Sequence, residues 1–433
     1  MRTLSITDVG PITKTATIEY KRFCILIGPQ SNGKSTIAKI FSTCLWLEKE
    51  ACTSLKSDII RDGDTFRNLV ENFHRMHHYI HPDRSVIKYR SPYVSIVYDK
   101  NNFSISFNNN LEYKRVKISY VPSDRNVVTM KDIEKRDLEP TNFRSFLFDW
   151  LETNRNFDER HKVPILNLGM KYYFDANAKS RMDMLTHENG VTYDIPLYDA
   201  SSGMQSLVPM TVLMHYLVSD YFTNYGKDIS FEQQHSNNNL AWAITELLTS
   251  KYYPEQVSKM NPRETYRTLI QQKANNNDQG ALDKINKMKG LYENLVYPQS
   301  ISFILEEPEQ NLFPETQVSL FNDIVSLCNG KHPSSAFITT HSPYLLAAAN
   351  ISLFAGKLAD LTIEEKAIAD CTGTNIFINP DDFTAYSVSE GTCTSLLDGN
   401  THLIKENLLD SASEYNAEVF DKLYRLYTKK LRQ

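Results

Sequence analysis

At 433 residues the chain exceeds one compact core and predicts roughly two or three lobes. Lys and Arg total 47 against 52 Asp and Glu, a net charge of −5 that excludes a uniformly basic coat, so any nucleic-acid contact must come from a local patch. Cys24, Cys44, Cys52, Cys328, Cys371 and Cys393 form no CxxC pair, which favours reduced thiols over a disulfide framework or a zinc site. No cationic apolar leader opens the sequence, and the longest apolar run, 207–218, is broken by Pro209 and His215, so a soluble, cytoplasmic protein without membrane contact is expected.

Residues 15–20 and 23–27 read as two strands, the second an uninterrupted apolar run. It leads into Gly28, Pro29, Gln30, Ser31, Asn32, Gly33, Lys34, Ser35 and Thr36, which fit GxxxxGK[ST]. Ile37, Ile40 and Phe41 follow at helical spacing, predicting a helix to about residue 50. In such a strand–loop–helix, backbone N–H groups face anionic phosphates. Lys34 adds a point charge for the β and γ groups, and the Ser35 hydroxyl can ligate Mg²⁺. Further on, His74, His77, His78 and His81 fall at helical spacing beside Phe73, Met76 and Ile80. They read as a polar helix face, and no metal is predicted there.

Between residues 93 and 122, Val94, Ile96 and Tyr98, then Phe103, Ile105 and Phe107, then Val116, Ile118 and Tyr120 alternate with polar residues. The pattern predicts an antiparallel meander with a hairpin at 108–110. In the following loop, Arg125 either reaches phosphate or sits in a turn capped by Asp124. Residues 141–160 read as a helix with Phe143, Phe146, Leu147, Trp150 and Leu151 on its core face, followed by strands at 171–175 and 190–197. A small-residue turn at 198–203 then opens an apolar helix, where Ser202, Gly203 and Gln205 stand like an anion-binding helix start or an ordinary cap.

The segment 220–298 is polar and asparagine-rich, yet Trp242, Ile244, Leu247 and Leu248, and later Leu282, Ile285, Met288 and Leu291, keep helical spacing. It reads as a helical insertion and a candidate for partner contacts. Residues 301–306 form a buried-strand pattern that delivers Glu306 and Glu307 to its end, where α/β nucleotide sites place Mg²⁺ and water chemistry. After a helix carrying Val318, Leu320, Phe321 and Ile324, the stretch 335–341 repeats the logic with His341 at its end. The tail predicts strands at 375–378 and 383–388 and an amphipathic helix at 415–431, with Phe420, Leu423 and Leu426 on one face.

In this order the motifs resemble those of an ABC-type ATPase head of the SMC/RecF/OLD-like family, in the stand-alone prokaryotic form without a Toprim domain. Residues 28–35 resemble its Walker A motif, 201–205 its signature, 304–308 its Walker B, 309–314 its D-loop and 339–343 its switch histidine. The resemblance implies an α/β P-loop NTPase of ABC-ATPase type with an antiparallel β subdomain and a helical lobe or insertion. The corresponding division is 1–138 for the N-terminal part of lobe I, 139–219 for the signature lobe, 220–298 for the insertion and 299–433 for the C-terminal part of lobe I.

It also implies ATP and Mg²⁺, with ATP hydrolysed to ADP and phosphate. Residues 28–36 would hold one nucleotide, and Ser202, Gly203 and Gln205 would meet it from a second protomer in a homodimer or higher oligomer. Ser35 and Glu306 would hold the metal, Glu307 would polarise the attacking water, and His341 would sense the γ-phosphate. The implied role is ATP-dependent dimerisation controlling a separate effector, a nuclease or toxin, in bacterial anti-phage defence. The alternative is an ATP-gated DNA-binding clamp in repair, with DNA or RNA met by the basic residues of 84–90 and 114–117. Departures from the family pattern are Glu306 for the usual Asp, Ser31 for a frequent loop glycine, Met204 for the second signature glycine, no identifiable Q-loop glutamine, no heptad arms and no DxD motif after His341.

Overall fold

The run FCILI is buried at every position, which a strand tolerates when both faces of its sheet are covered. The computed structural model describes residues 1–108, 112–177, 182–187, 193–225, 231–276, 279–332, 334–361, 365–373 and 376–405. Its first part runs β1 (Arg2–Thr7), β2 (Ala16–Tyr20), β3 (Phe23–Ile27), α1 (Lys34–Ser54), α2 (Gly63–His74), β4 (Val86–Arg90), β5 (Val94–Asp99), β6 (Asn102–Phe107) and β7 (Val116–Val121). The middle holds α3 (Asn142–Thr153), β8 (Val163–Pro164), β9 (Met170–Asp175), β10 (Met182–His187), β11 (Tyr193–Pro196) and α4 (Ser202–Val218). Helices α5 (Asp220–Asn224), α6 (Phe231–Tyr252), α7 (Pro254–Val257), α8 (Pro262–Asn276) and α9 (Gln279–Val296) lie in the segment read from the sequence as an insertion. The last part is β12 (Ser300–Glu306), α10 (Pro314–Cys328), β13 (Ser335–Thr340), α11 (Pro343–Asp360), α12 (Glu365–Thr372), β14 (Phe383–Ser389) and β15 (Thr392–Ser395).

The central sheet has the order β15-β14-β3-β13-β12-β7 and is parallel except for the edge strand β15. Strand side chains alternate between its two faces. Phe23, Ile25, Ile27, Phe303, Leu305 and Ile338 enter one core with α3, α4, α10 and α11, whereas Cys24, Leu26, Ile304 and Phe337 enter another with α1 and the second sheet. Each buried Phe, Leu or Ile contributes about 1.5–3 kcal/mol. The second sheet, β2-β1-β4-β5-β6, is antiparallel, and β11-β10-β9-β8 forms a third beside α3. Ile244, Leu248, Met288, Leu291 and Leu295 of the insertion join the core that contains α1, so α6 and α9 brace the helix behind the glycine loop.

Several expectations are corrected. β7 is not the third strand of a meander. It pairs in parallel with β12 from Val116↔Ser300 to Val121↔Leu305, and Tyr120 and Val121 are both buried, as a central-sheet strand requires. No hairpin therefore joins β6 to β7 through 108–110, of which 109 and 110 lie outside the described residues. Nor do the four histidines share a helix. α2 stops at His74, and Arg75 and His78 take the left-handed backbone at φ 54° and 66°. His74 alone is deeply buried, its Nε2 3.1 Å from Thr43 Oγ1, and burial pushes its pKa down to about 3. The helix expected over 141–160 ends at Thr153 in a 3₁₀ turn, β11 covers 193–196 of the strand expected over 190–197, of which 190–192 lie outside the described residues, and 376–378 carry no strand. Residue 375 and the helix expected at 415–431 lie outside the described residues.

Candidate nucleotide site

Adjacent parallel strands β3, β13 and β12 end on one edge, which brings Gly28, His341 and the pair Glu306–Glu307 together. Gly28 has φ 154°, and a Cβ there would stand 2.2 Å from the Val388 carbonyl oxygen of β14, so only glycine fits. Gly33, at φ 96°, caps α1. Ser31 occupies the left-handed region at φ 60°, where a frequent loop glycine is replaced, a strain of about 1–2 kcal/mol. Pro29, Gln30 and Ser31 are exposed along the loop, and Asn32 Nδ2 donates to the Gln30 carbonyl at 3.0 Å. The first-turn N–H groups of α1, including those of Ser35 and Thr36, precede any helical acceptor and are ready for an anion.

Lys34 is 4% exposed and donates from Nζ to the carbonyls of Gly28 (2.8 Å) and Pro29 (2.9 Å). Its Nζ also lies 3.4 Å from His341 Nδ1, and His341 Nε2 lies 3.3 Å from Glu307 Oε1. An ammonium can only donate, so Nδ1 accepts and the ring proton belongs on Nε2, facing the Glu307 carboxylate. Desolvation lowers the Lys34 pKa to about 8, opposed by the negative charges of Glu307 and Glu309.

Glu306 is 4% exposed and accepts from the Tyr120 hydroxyl and, at 3.4 Å, from the Ser123 N–H. Burial, then the Glu306 charge, pushes the Tyr120 hydroxyl well above its ordinary pKa. Glu307 turns off the strand at φ 43°, its N–H held by the Thr339 carbonyl at 2.8 Å. Glu309 accepts from Thr340 Oγ1 and the His341 N–H, both at 2.7 Å, and thereby fixes the backbone of the histidine. Desolvation raises its pKa. Sequence reasoning placed Glu309 only in a D-loop and missed this positioning contact; a third acid two residues beyond Glu307 was the available signal.

Arg125 neither reaches outward toward phosphate nor sits in a turn capped by Asp124. It is fully buried, and Asp124 pairs instead with Arg75 at 2.8 Å. The Arg125 guanidinium donates to five carbonyls: Ser206 (2.9 Å), Pro122 (3.3 Å), Glu306 (2.9 Å), Glu307 (2.9 Å) and Pro308 (3.3 Å). It thus ties α4 and the turn after β7 to the acid turn. Desolvation lowers its pKa to about 10, with Glu309, Glu307 and Glu306 opposing.

At the start of α4, Ser201 Oγ caps the Met204 N–H at 3.4 Å. Gln205 folds back, its Nε2 donating to the Tyr198 (2.7 Å) and Ala200 (3.1 Å) carbonyls. Ser202 is exposed, and a Cβ on Gly203 would stand 2.7 Å from the Asn311 carbonyl oxygen. Among the described residues no hydrogen bond joins 201–205 to the glycine loop. Of the two basic clusters, 114–117 is largely engaged: Arg115 donates to the Val296 carbonyl at 3.0 Å, and Lys117 pairs with Asp149 at 2.7 Å. No group of three His, Cys, Asp or Glu side chains converges as a metal cage among the described residues, and no described helix is long and apolar enough to cross a membrane.

Glycine loop, acid pair and histidine lie on one edge of a parallel sheet, with an antiparallel sheet behind α1 and α4 packed on the opposite face. The chain has an α/β fold whose strand–loop–helix from β3 to α1 has the form of a phosphate-binding P-loop. No family model and no curated protein matches the chain. Among solved structures it is similar to the SMC head domain from Thermotoga maritima at 8% identity and a TM-score of 0.36, covering 91% of this chain and 97% of that chain. It is also similar to the Pyrococcus furiosus Smc head domain bound to the C-terminal domain of ScpA, at 10% identity and a TM-score of 0.35, covering 97% and 100%. A third likeness is to the recombination mediator protein RecF, at 10% identity and a TM-score of 0.27, covering 91% and 97%.

Proposed function

We propose that the chain is an ATPase that cleaves ATP to ADP and phosphate in sites shared between two copies, and that this association controls a separate effector. The observation that carries the reading is the His341 ring set between Lys34 (3.4 Å) and Glu307 (3.3 Å) at the mouth of the glycine loop. Lys34 would exchange the Gly28 and Pro29 carbonyls for phosphate oxygens, with the first-turn N–H groups of α1 receiving the rest of the charge. Ser35 and Glu306 are hard oxygen donors of the kind Mg²⁺ accepts when phosphates and water fill its other positions. Mg²⁺ there would neutralise charge on the phosphate oxygens. Glu307 would take a proton from the attacking water, while His341 orients the carboxylate and follows the γ-phosphate.

Ser202 and Gly203 would complete the site of a second copy, a reading supported by the exposure of Ser202 at the start of α4. Control of a nuclease or toxin, and a role in anti-phage defence, rest on the motif resemblance. The DNA-clamp alternative retains only 84–90, where Lys88 and Arg90 are exposed on β4. The deciding experiment measures Mg²⁺-dependent phosphate release per chain across a hundredfold range of protein concentration. The rate per chain is expected to rise with concentration. A flat profile overturns the shared site, and no release at any concentration overturns the ATPase. For the effector, a protein that confers phage resistance when expressed without its neighbouring genes would sink that half of the proposal.

A further inference from the structure

Two acids in the chain are buried against a buried tyrosine, and they differ in what balances their charge. Glu48 on α1 is fully buried, accepts from the Tyr89 hydroxyl at 2.6 Å and pairs with Arg2 at 2.8 Å. Glu306 at the end of β12 is 4% exposed and accepts from the Tyr120 hydroxyl and, at 3.4 Å, from the Ser123 N–H. Among the described residues no Lys, Arg or His side chain bridges its carboxylate. A buried carboxylate held by hydrogen bonds alone is one whose charge the chain leaves to a cation from outside, and each of its oxygens keeps an acceptor position after one bond.

Tyr120 is fixed from both sides. It pairs with Ile304 in the register of β7 on β12, so its hydroxyl and the Glu306 carboxylate approach each other on one face of the sheet, the face that packs against α1. Its ring centroid lies 5.4 Å from that of His74, and His74 Nε2 lies 3.1 Å from Thr43 Oγ1. Thr43 belongs to α1, the helix whose first turn carries Ser35. Packed side chains therefore run without a break from the helix of one oxygen donor to the carboxylate of the other. Glutamate has one C–C bond more than aspartate, about 1.5 Å of reach and one further rotation. The tyrosine hydroxyl removes that freedom.

We propose that Tyr120 is a positioning residue, whose hydroxyl holds the Glu306 carboxylate in the orientation that meets the metal ion of the nucleotide complex. This rests on the reading of Ser35 and Glu306 as metal donors and names the group that aims one of them. Losing a partner of this kind costs roughly 10–100-fold in metal affinity.

The test titrates Mn²⁺ against the full chain with a non-hydrolysable ATP analogue, free Mn²⁺ being read by electron paramagnetic resonance, and measures analogue affinity separately in EDTA. Tyr120→Phe keeps the ring and deletes only the hydroxyl. It should weaken Mn²⁺ binding at least about tenfold and leave the affinity in EDTA unchanged. Glu306→Gln examines the underlying reading and should weaken Mn²⁺ at least as much. A parent chain that binds no Mn²⁺ with the analogue, or Mn²⁺ binding indifferent to Glu306→Gln, takes Glu306 away from the metal, and the proposal falls with that reading. Mn²⁺ weakened by Glu306→Gln but not by Tyr120→Phe overturns the positioning role alone. So does a Tyr120→Phe protein that loses analogue affinity in EDTA by the same factor, since its role is then structural. Should Tyr120→Phe not fold, Glu306→Asp replaces it. That change draws the carboxylate back from the hydroxyl and should weaken Mn²⁺ comparably, whereas unchanged Mn²⁺ affinity overturns the proposal.

Discussion

The edge made by β3, β13 and β12 and the first turn of α4 are the two halves of one expected site, and they are built in opposite ways. On the edge, Lys34 is held by two carbonyls and a histidine, Glu306 by a tyrosine and a backbone N–H, and the acid turn by three bonds from Arg125. At the start of α4, Ser202 is exposed, and the one long polar side chain nearby, Gln205, is spent on its own turn. A half-site whose partners all lie within its own chain is preorganised, whereas a half-site that faces away acts only where another surface meets it. Arg125 links the two, since it binds Ser206 of α4 and Glu307 of the acid turn through one guanidinium.

The sharpest break in this comparison is Glu307→Gln, which should cut phosphate release about a thousandfold while ATP still binds. Light scattering with ATP should then find an accumulated pair of chains; parental turnover would remove Glu307 from the chemistry. Next comes Arg125→Met, which strands five buried carbonyls and should lower stability by about 3 kcal/mol in denaturant unfolding. Retained stability would mean that the two halves are not joined through this residue. Ser202→Arg should leave ATP affinity unaltered and reduce turnover at least about tenfold. Mixing it with Lys34→Ala should restore part of the rate, because each chain supplies the half the other lacks.

The smallest effect is on pH. Lys34 has a folded pKa of about 8 against 10.5 when exposed, so between these values the unfolded chain binds more protons and the Lys34 contribution makes stability rise with pH. ATP binding above about pH 8 should take up a proton, seen as a buffer-dependent heat in calorimetry. Lys34→Met should abolish both dependences.

What could be read beforehand follows from how far a residue's surroundings extend along the chain. β3, β12 and β13 were legible because strands covered on both faces are spelled as apolar runs, and the polar groups needed at their ends stand next in sequence. β7 was misplaced because Val116, Ile118 and Tyr120 alternate like a half-exposed strand, and only its pairing with β12, far along the chain, reveals its sheet. The histidine spacing misled for a local reason, since Arg75 in the left-handed region ends the helix that the spacing assumes. Arg125 was illegible because its acceptors come from three separate segments, and backbone carbonyls leave no mark in a sequence. Glu309 hid within a motif that gave its neighbours another role.

Gly28 under Val388 has a consequence in time. β3 is flanked by β13 and β14, and the carbonyl that confines the first loop glycine arrives some 360 residues after it. At about 5–20 residues per second, a ribosome needs on the order of half a minute to deliver that strand. Until then the loop lacks the wall that β14 supplies. Under the proposed function, a nascent chain would grip nucleotide only after the strands carrying its acids and its histidine, which precede β14, have been made.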